Sequence, residues 1–403
     1  MRSFATTVLA GGVLALGLSV AMAGSGMAQD KYKWPDYITV VTPIVGTGNH
    51  SLGVAWTSEF SAQTSSRARV LPAPNGYARA QWLVTGKGNI AMLQASDYFD
   101  QMDAVQGYST PEGGPADTRV AVMNMITPWG YMVRGDSDIK SFADIKKGTR
   151  IAFAKSSSFL ISGVDALLAY RGLKREDVEL VEVGNYGANT RIVVEGRADV
   201  AFTSPLSGTS YEADASPQGI RWLPLPAKEA DPKAYARYRD LQPGYIPLET
   251  TSGVKSSIGL TMDHAFQANH VRAEADADFV YHLAKWLDEH HEDFKKSFTH
   301  AKMMSVASLK SFLDAGALQP LHEGAIRYLK DKGIWTDVYQ ARQDKLVALA
   351  KDRVKLWKEA LAEAKKQGIT VAPDSAEWKK LWARKRAAAG NDKSYGEMVL
   401  SIE

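Results

Sequence analysis

Two stretches of the chain repeat one local plan. Residues 38–54, ITVVTPIVGTGNHSLGV, run a β-branched segment into a glycine loop and then an amphipathic stretch. Residues 149–170, TRIAFAKSSSFLISGVDALLAY, run a strand-like segment into a serine loop and then an apolar helix. A strand that ends in small polar residues opening a helix is the building unit of a parallel sheet with helices on its faces. The first series continues with a strand, RARVLPA, and a turn at Pro74-Asn75-Gly76. A helix from Tyr77 to Thr85 then stops at Gly86, a short apolar strand ends at Gln94, and the strand RVAVMNMIT meets Pro128-Trp129-Gly130. The second series adds the strand YMVRG, a charged helical turn SDIKSFADIKKG, and a helix from about Phe159 to Tyr170 ending at Gly172. There glycine suits a left-handed cap. The strand VELVEV, the helix ANTRIVVEG and the strand ADVAF follow, ending at Thr203-Ser204-Pro205. The segment IRWLPLP then leads back to the first series. Open α/β sheets bind ligands at the carboxyl ends of their strands, so two such series facing each other make a cleft.

The first loop, Gly46-Thr47-Gly48-Asn49-His50-Ser51, is close to the GxGxxG of a dinucleotide site, with Ser51 where the third glycine belongs. That site also needs an acidic residue about 20 positions on, for the ribose hydroxyls. No Asp or Glu occurs between Glu59 and Asp97, so a nucleotide is not expected. Exposed loop amides and a helix N-terminus still favour a small anion.

The chain has 403 residues, 45% apolar and 23% charged, enough for two core domains and an extension. A net charge of +3 gives no global field for nucleic acid. The absence of cysteine excludes disulfides, thiolate metal sites and a thiol nucleophile. At the N-terminus, Arg2 precedes an apolar core from Val8 to Val20, then Ala21-Met22-Ala23 and Gly26-Met27-Ala28. This reads as a secretory signal over residues 1–28, cut after Ala23 or Ala28, and implies a mature protein in the periplasm.

Four segments, in order, resemble those of the TAXI family of TRAP-transporter solute-binding receptors. They are TGKGNIAMLQASDYF, MVRGDSDIKSFADIKKGTRIAF, EGRADVAFTS and LHEGAIRYLKDKGIW, the last being the most specific. The likeness covers about residues 37–335. It implies the α/β, two-lobe type II periplasmic-binding-protein fold, here with a C-terminal helical extension. Lobe I would comprise residues 29–130 plus 224–335, lobe II residues 131–223, and the extension residues 336–403. The implied function is delivery of a small organic anion, a carboxylate or an amino acid such as glutamate, to a TRAP-type membrane permease. Neither cofactor nor catalysis is implied. The alternatives are a receptor for an ATP-driven importer or sensor and, from another class, a secreted enzyme.

The ligand would sit on Thr47, Gly48, Asn49 and Ser51 of the first lobe and on Ser156, Ser157 and Ser158 of the second, all at helix N-termini. Ordinary capping explains the same residues equally simply. Asn75 lies in the turn before the next helix, and Arg79 is placed to clamp a carboxylate with two parallel bonds. Gln94 ends a short buried strand, and Tyr186 and Thr203 lie at strand ends of the second lobe. Tyr77 and Trp56 are expected in the core. The histidines of YHLAKWLDEHHEDF lack the i, i+4 spacing of a helical zinc site, so no metal is expected. The strands near Thr127–Val133 and Ile220–Pro226 would form the hinge. Beyond Trp335 one long helix ends at Gly368, and a shorter one follows Pro373-Asp374-Ser375. These are expected either as a hairpin packed on the first lobe or as an arm for the membrane partner.

Overall fold

The computed structural model describes residues 32–402 except residue 156. The expected signal segment, residues 1–28, and Ser156 therefore lie outside the described residues. The first series forms β1 (Tyr37–Thr42), α1 (Gly48–Gln63), β2 (Arg67–Pro72), α2 (Gly76–Val84), β3 (Ile90–Gln94) and α3 (Ala95–Asp103). A long strand, β4 (Thr118–Arg134), leads to β5 (Arg150–Phe153), α4 (Ser158–Arg171), β6 (Glu179–Glu182), α5 (Tyr186–Val194), β7 (Ala201–Thr203), α6 (Gly208–Asp214) and β8 (Ile220–Leu223). Then come α7 (Pro232–Asp240), β9 (Tyr245–Glu249) and β10 (Thr261–Arg272). The rest is helical: α8 (Ala277–Glu289), α9 (His291–Phe294), α10 (Val306–Asp314), α11 (Glu323–Asp331), α12 (Asp337–Gln367), α13 (Ala376–Ala388) and α14 (Tyr395–Leu400).

The strand order is β2-β1-β3-β10-β4-β7, with β8 also on β4 and β9 also on β10. β1 pairs in parallel with both β2 and β3, as the strand–helix alternation requires. β5 and β6 pair in parallel and join β7 through a bridge at Ile151 and Val200. Two α/β halves thus share the long strands β4 and β10.

The Pro128-Trp129-Gly130 break expected from sequence does not end a strand. β4 runs through it for 17 residues. Up to Trp129 it pairs with β10, and from Gly130 it pairs with β7 and β8. The triplet marks a change of partner. At Gly130 a Cβ would lie 2.1 Å from the Met262 Cε, so a side chain there would displace the end of Met262. The charged segment near 137–148 forms only a short 3-10 turn at Phe142–Asp144. β1 stops at Thr42 because Pro43 has no N–H to continue the ladder.

The segment Ile220–Pro226, expected as the return crossing, stays with the second half as β8. The return is made by β10. Leu225, Tyr238 and Tyr245, expected in the first lobe, pack in the core of the second half with Tyr131, Phe142 and Phe202. The extension packs on α3. Along α12 the buried residues Leu346, Ala350, Arg353, Trp357, Ala360 and Ala364 follow helical spacing. Trp357, Trp378 and Trp382 cluster, and the indole nitrogens of Trp378 and Trp382 donate to the Ser109 Oγ and the Asp103 carbonyl. Among the described residues no helix is long and apolar enough to cross a membrane.

Candidate functional site

The two halves meet where α3 faces the N-terminus of α4. The Ser158 hydroxyl, on the first turn of α4, faces Tyr77 of α2 and Asp100 of α3. Ser158 is buried by this contact. Ser157 is the N-cap of α4, yet its side chain makes no capping bond. Among the described residues the first amides of α4 thus lack the capping side-chain acceptor that such an end usually has.

The first half repeats its local design in the second. Asn75 and Asn185 cap α2 and α5 in near-identical conformations, accepting from the amides of Ala78 and Ala188 at 3.0 Å. Arg79 and Asn189 then occupy matching buried positions on the two helices. Asn75, expected to contact ligand, is engaged as a cap. Asn75→Ala is expected to lower stability by about 1 kcal/mol while leaving solute affinity unchanged, read from urea denaturation and calorimetry.

Arg79 does not stand ready as a carboxylate clamp. Its Nη2 lies 2.8 Å from the Asp97 Oδ2, in a pair buried on both sides. The Tyr108 hydroxyl donates to the Asp97 Oδ1 at 2.9 Å. Gly76 makes this arrangement possible, because a Cβ there would lie 2.0 Å from the Asp97 Oδ1. The guanidinium is neutralised by its own half. Its Nε, buried and without a partner, is the donor left over.

The other expected residues divide. Gln94 is buried at the N-cap of α3 with its Nε2 unpartnered. The Tyr186 hydroxyl accepts from the Thr203 hydroxyl and the Ser204 amide, each at 3.1 Å, and Thr203 also meets Thr190, so both are satisfied within the second half. Thr47 caps α1 by accepting from the His50 amide, and a Cβ at Gly48 would meet Met125 and Phe298 at an ordinary 3.6 Å. Asn49 is buried with an unpartnered Oδ1, and Ser51 is half-buried in the first turn of α1. Arg79 and Gln94 meet Asp97 on α3, Ser158 meets the same helix from the second half at Asp100, and Asn75, Tyr186 and Thr203 are engaged structurally.

Tyr77, Asp97, Asp100 and Trp129 belong to the seam but escaped sequence reasoning as site residues. Trp129, at the partner change of β4, lies 4.8 Å from the Phe159 ring and 5.8 Å from Tyr186, and its Nε1 has no partner. A faint signal existed for Asp97, which sits three positions after Gln94 in one of the four recognised segments. Trp56 is core, as expected.

Burial pushes the Asp100 carboxyl up to about 7, with Asp97 and Asp103 adding to the rise and the Ser158 hydroxyl opposing it. Burial alone lowers His270, on β10, to about 3. Asp100 is raised above its ordinary 3.8, so its contribution to stability is full below that value and is lost as pH rises to about 7. His270 is depressed, so its contribution is present above 6.5 and is lost as pH falls toward 3. The two slopes oppose each other. Asp100→Asn removes one of them. The variant's stability is expected to climb from about pH 4 to 6.5 more steeply than the wild type's, by up to about 1.4 kcal/mol per pH unit. Urea midpoints across that range check this, and an unchanged slope contradicts the burial of Asp100.

Two α/β halves joined by long shared strands and meeting at a polar seam define a protein of the two-lobe periplasmic-binding-protein type. The chain belongs to the NMT1-like family, whose profile matches residues 50–333. The match ends before α12, so the extension lies beyond it. No curated protein matches the sequence. Solved structures similar to the chain include the alkanesulfonate-binding protein of Xanthomonas axonopodis pv. citri bound to MOPS. It is 17% identical, with 79% of this chain and 99% of that one covered and a TM-score of 0.39. The periplasmic aliphatic sulphonate binding protein of Escherichia coli is 15% identical, with 84% and 91% covered and a TM-score of 0.38. A binding-protein component of an ABC phosphonate transporter from Pseudomonas aeruginosa is 12% identical, with 82% and 99% covered and a TM-score of 0.43. Among the described residues no group of three or more His, Asp or Glu is placed to hold a metal ion.

Proposed function

We propose that this chain is an extracytoplasmic solute-binding protein that closes two lobes on a small polar solute and presents it to a membrane permease. The observation that carries this reading is a set of buried polar atoms on and beside α3 and at Trp129 that have no partner among the described residues: Arg79 Nε, Gln94 Nε2, Asp100 Oδ2 and Trp129 Nε1. Buried polar groups in folded proteins are almost always hydrogen-bonded, so four such orphans favour a ligand that completes them. Such a ligand touches both lobes at once and stabilises the closed state over the open one. Residues 1–28 favour export to the periplasm. The lobes are taken as residues 29–130 plus 261–335 and residues 131–260, since the segment 224–260 packs with the second half. Delivery of a carboxylate or amino acid to a TRAP-type permease is the finer part of the reading and rests on the four segments between 85 and 335. No catalysis is assigned.

Thermal shift of the mature protein against carboxylates, amino acids, sulfonates and NAD tests the reading. A solute that binds only the folded state raises Tm. A rise with a small polar solute is expected; a rise with NAD alone, or with nothing, would sink the proposal. Co-purification with a TRAP-type permease rather than an ATP-driven importer tests the finer part.

A further inference from the structure

Helix α3 carries three carboxylates one turn apart, Asp97, Asp100 and Asp103. Two of them have arginines of their own. Asp97 pairs with Arg79 at 2.8 Å. Asp103 pairs with Arg353 at 2.8 Å and with Arg386 at 3.2 Å, and it also accepts from the Tyr395 amide. Asp100, between them, forms no ion pair among the described residues. The charges that act on it are those of Asp97 and Asp103, both negative. The groups facing it are hydroxyls: Ser158 from α4 and Tyr77 from α2, with Tyr108 and Tyr245 also within range of its charge. Its Oδ2 is buried without a partner. Gln94, 5% exposed at the head of the same helix, holds an equally unpartnered amide nitrogen.

Arginine is spent on both neighbours and withheld from the carboxylate at the seam. A purely anionic ligand would leave Asp100 without a counter-charge and hold it in its protonated form, because like charges in a buried site repel strongly. A protonated nitrogen would supply the missing charge and donate to Oδ2. The aromatic ring of Tyr77, which shares Ser158 and the charge of Asp100, suits a cation as well.

We propose that Asp100 is the acceptor for a protonated nitrogen of the solute, so that the cargo is an aminated molecule, an amino acid or a related ammonium compound, and not a simple carboxylate or sulfonate. The proposal rests on the solute-receptor reading and narrows it. Any carboxylate of the same solute would turn to the donors that remain, the Gln94 amide, the Arg79 Nε and the first amides of α4.

The test uses the mature full-length protein and calorimetry with matched pairs differing by one amino group: propionate and β-alanine, glutarate and glutamate, succinate and aspartate, with putrescine and agmatine as cations alone. An aminated member is expected to bind while its deaminated counterpart does not. Asp100→Asn, of the same size, is expected to weaken that binding at least tenfold, and Asp100→Glu to recover part of it. The wild-type comparison stands even if a variant folds poorly. Equal binding of both members of a pair, or an affinity in Asp100→Asn within twofold of wild type, overturns the proposal. Binding confined to the deaminated acids overturns it while leaving the receptor reading standing. Binding of no member of either set overturns it, and the receptor reading falls with it only if the sulfonates of the thermal-shift panel also fail.

Discussion

Arg353→Ala is expected to lower the stability of the protein by about 3–5 kcal/mol, the range for breaking a buried ion pair by removing one partner. Arg353 lies in the middle of the buried stripe of α12 and is wholly inaccessible to solvent. Burial lowers its pKa and raises that of Asp103, each opposed by the other's charge. The pair is therefore held together by geometry that leaves neither charge an alternative. Removing the guanidinium leaves Asp103 with Arg386 and the Tyr395 amide, and leaves a void between α12 and α3. The loss should appear in urea denaturation as a lower midpoint with an unchanged slope if unfolding remains two-state. A loss below about 1 kcal/mol, the ceiling for exposed pairs, would mean that the extension does not seat on α3. Seating matters because α3 also carries Asp97 and Asp100. The extension thus braces the helix that lines the seam.

Arg79→Ala is expected to cost a similar about 3–5 kcal/mol, through loss of the buried partner of Asp97. This differs from the clamp suggested by sequence, under which the substitution would weaken binding and spare the fold. The double variant Arg79→Ala/Asp97→Ala separates the two. Residues in direct contact show coupling of about 0.5–3 kcal/mol, so the double loss should fall short of the sum of the single ones. Additive losses, together with an intact melting transition for Arg79→Ala, would return Arg79 to the role of a free clamp. Any binding defect of Arg79→Ala has to be measured at a temperature where the variant is fully folded.

Much of the architecture was legible. Helix ends were marked by glycines that adopt left-handed conformations, at Gly86, Gly172 and Gly368. Strands of the parallel type were marked by continuous apolar runs, as in β1 and β3. The long helix of the extension was marked by its periodicity. β10 was not legible, because Asp263, His264, Gln267, Asn269 and His270 give it the composition of a loop. Those residues are buried, and Asp263, Gln267 and His270 find their side-chain partners on other elements. The Tyr238 hydroxyl and Arg239 serve Asp263, the Thr127 hydroxyl accepts from Gln267, and Thr118 and Gln319 meet His270.

The site divides in the same way. The sequence by itself determined the α/β alternation, the polar loops that open α1 and α4, and the residue types presented near the seam. Those properties depend on neighbours within a few positions along the chain, through backbone propensity and capping. The tertiary structure alone decided that Arg79 is neutralised by Asp97, that Asn75 and Thr203 are spoken for, and that Asp100 is left without a cation among the described residues. A side chain's charge is written in the sequence, but whether that charge is matched depends on what folding brings within a few ångströms of it, and for Asp103 that partner came from 250 residues away.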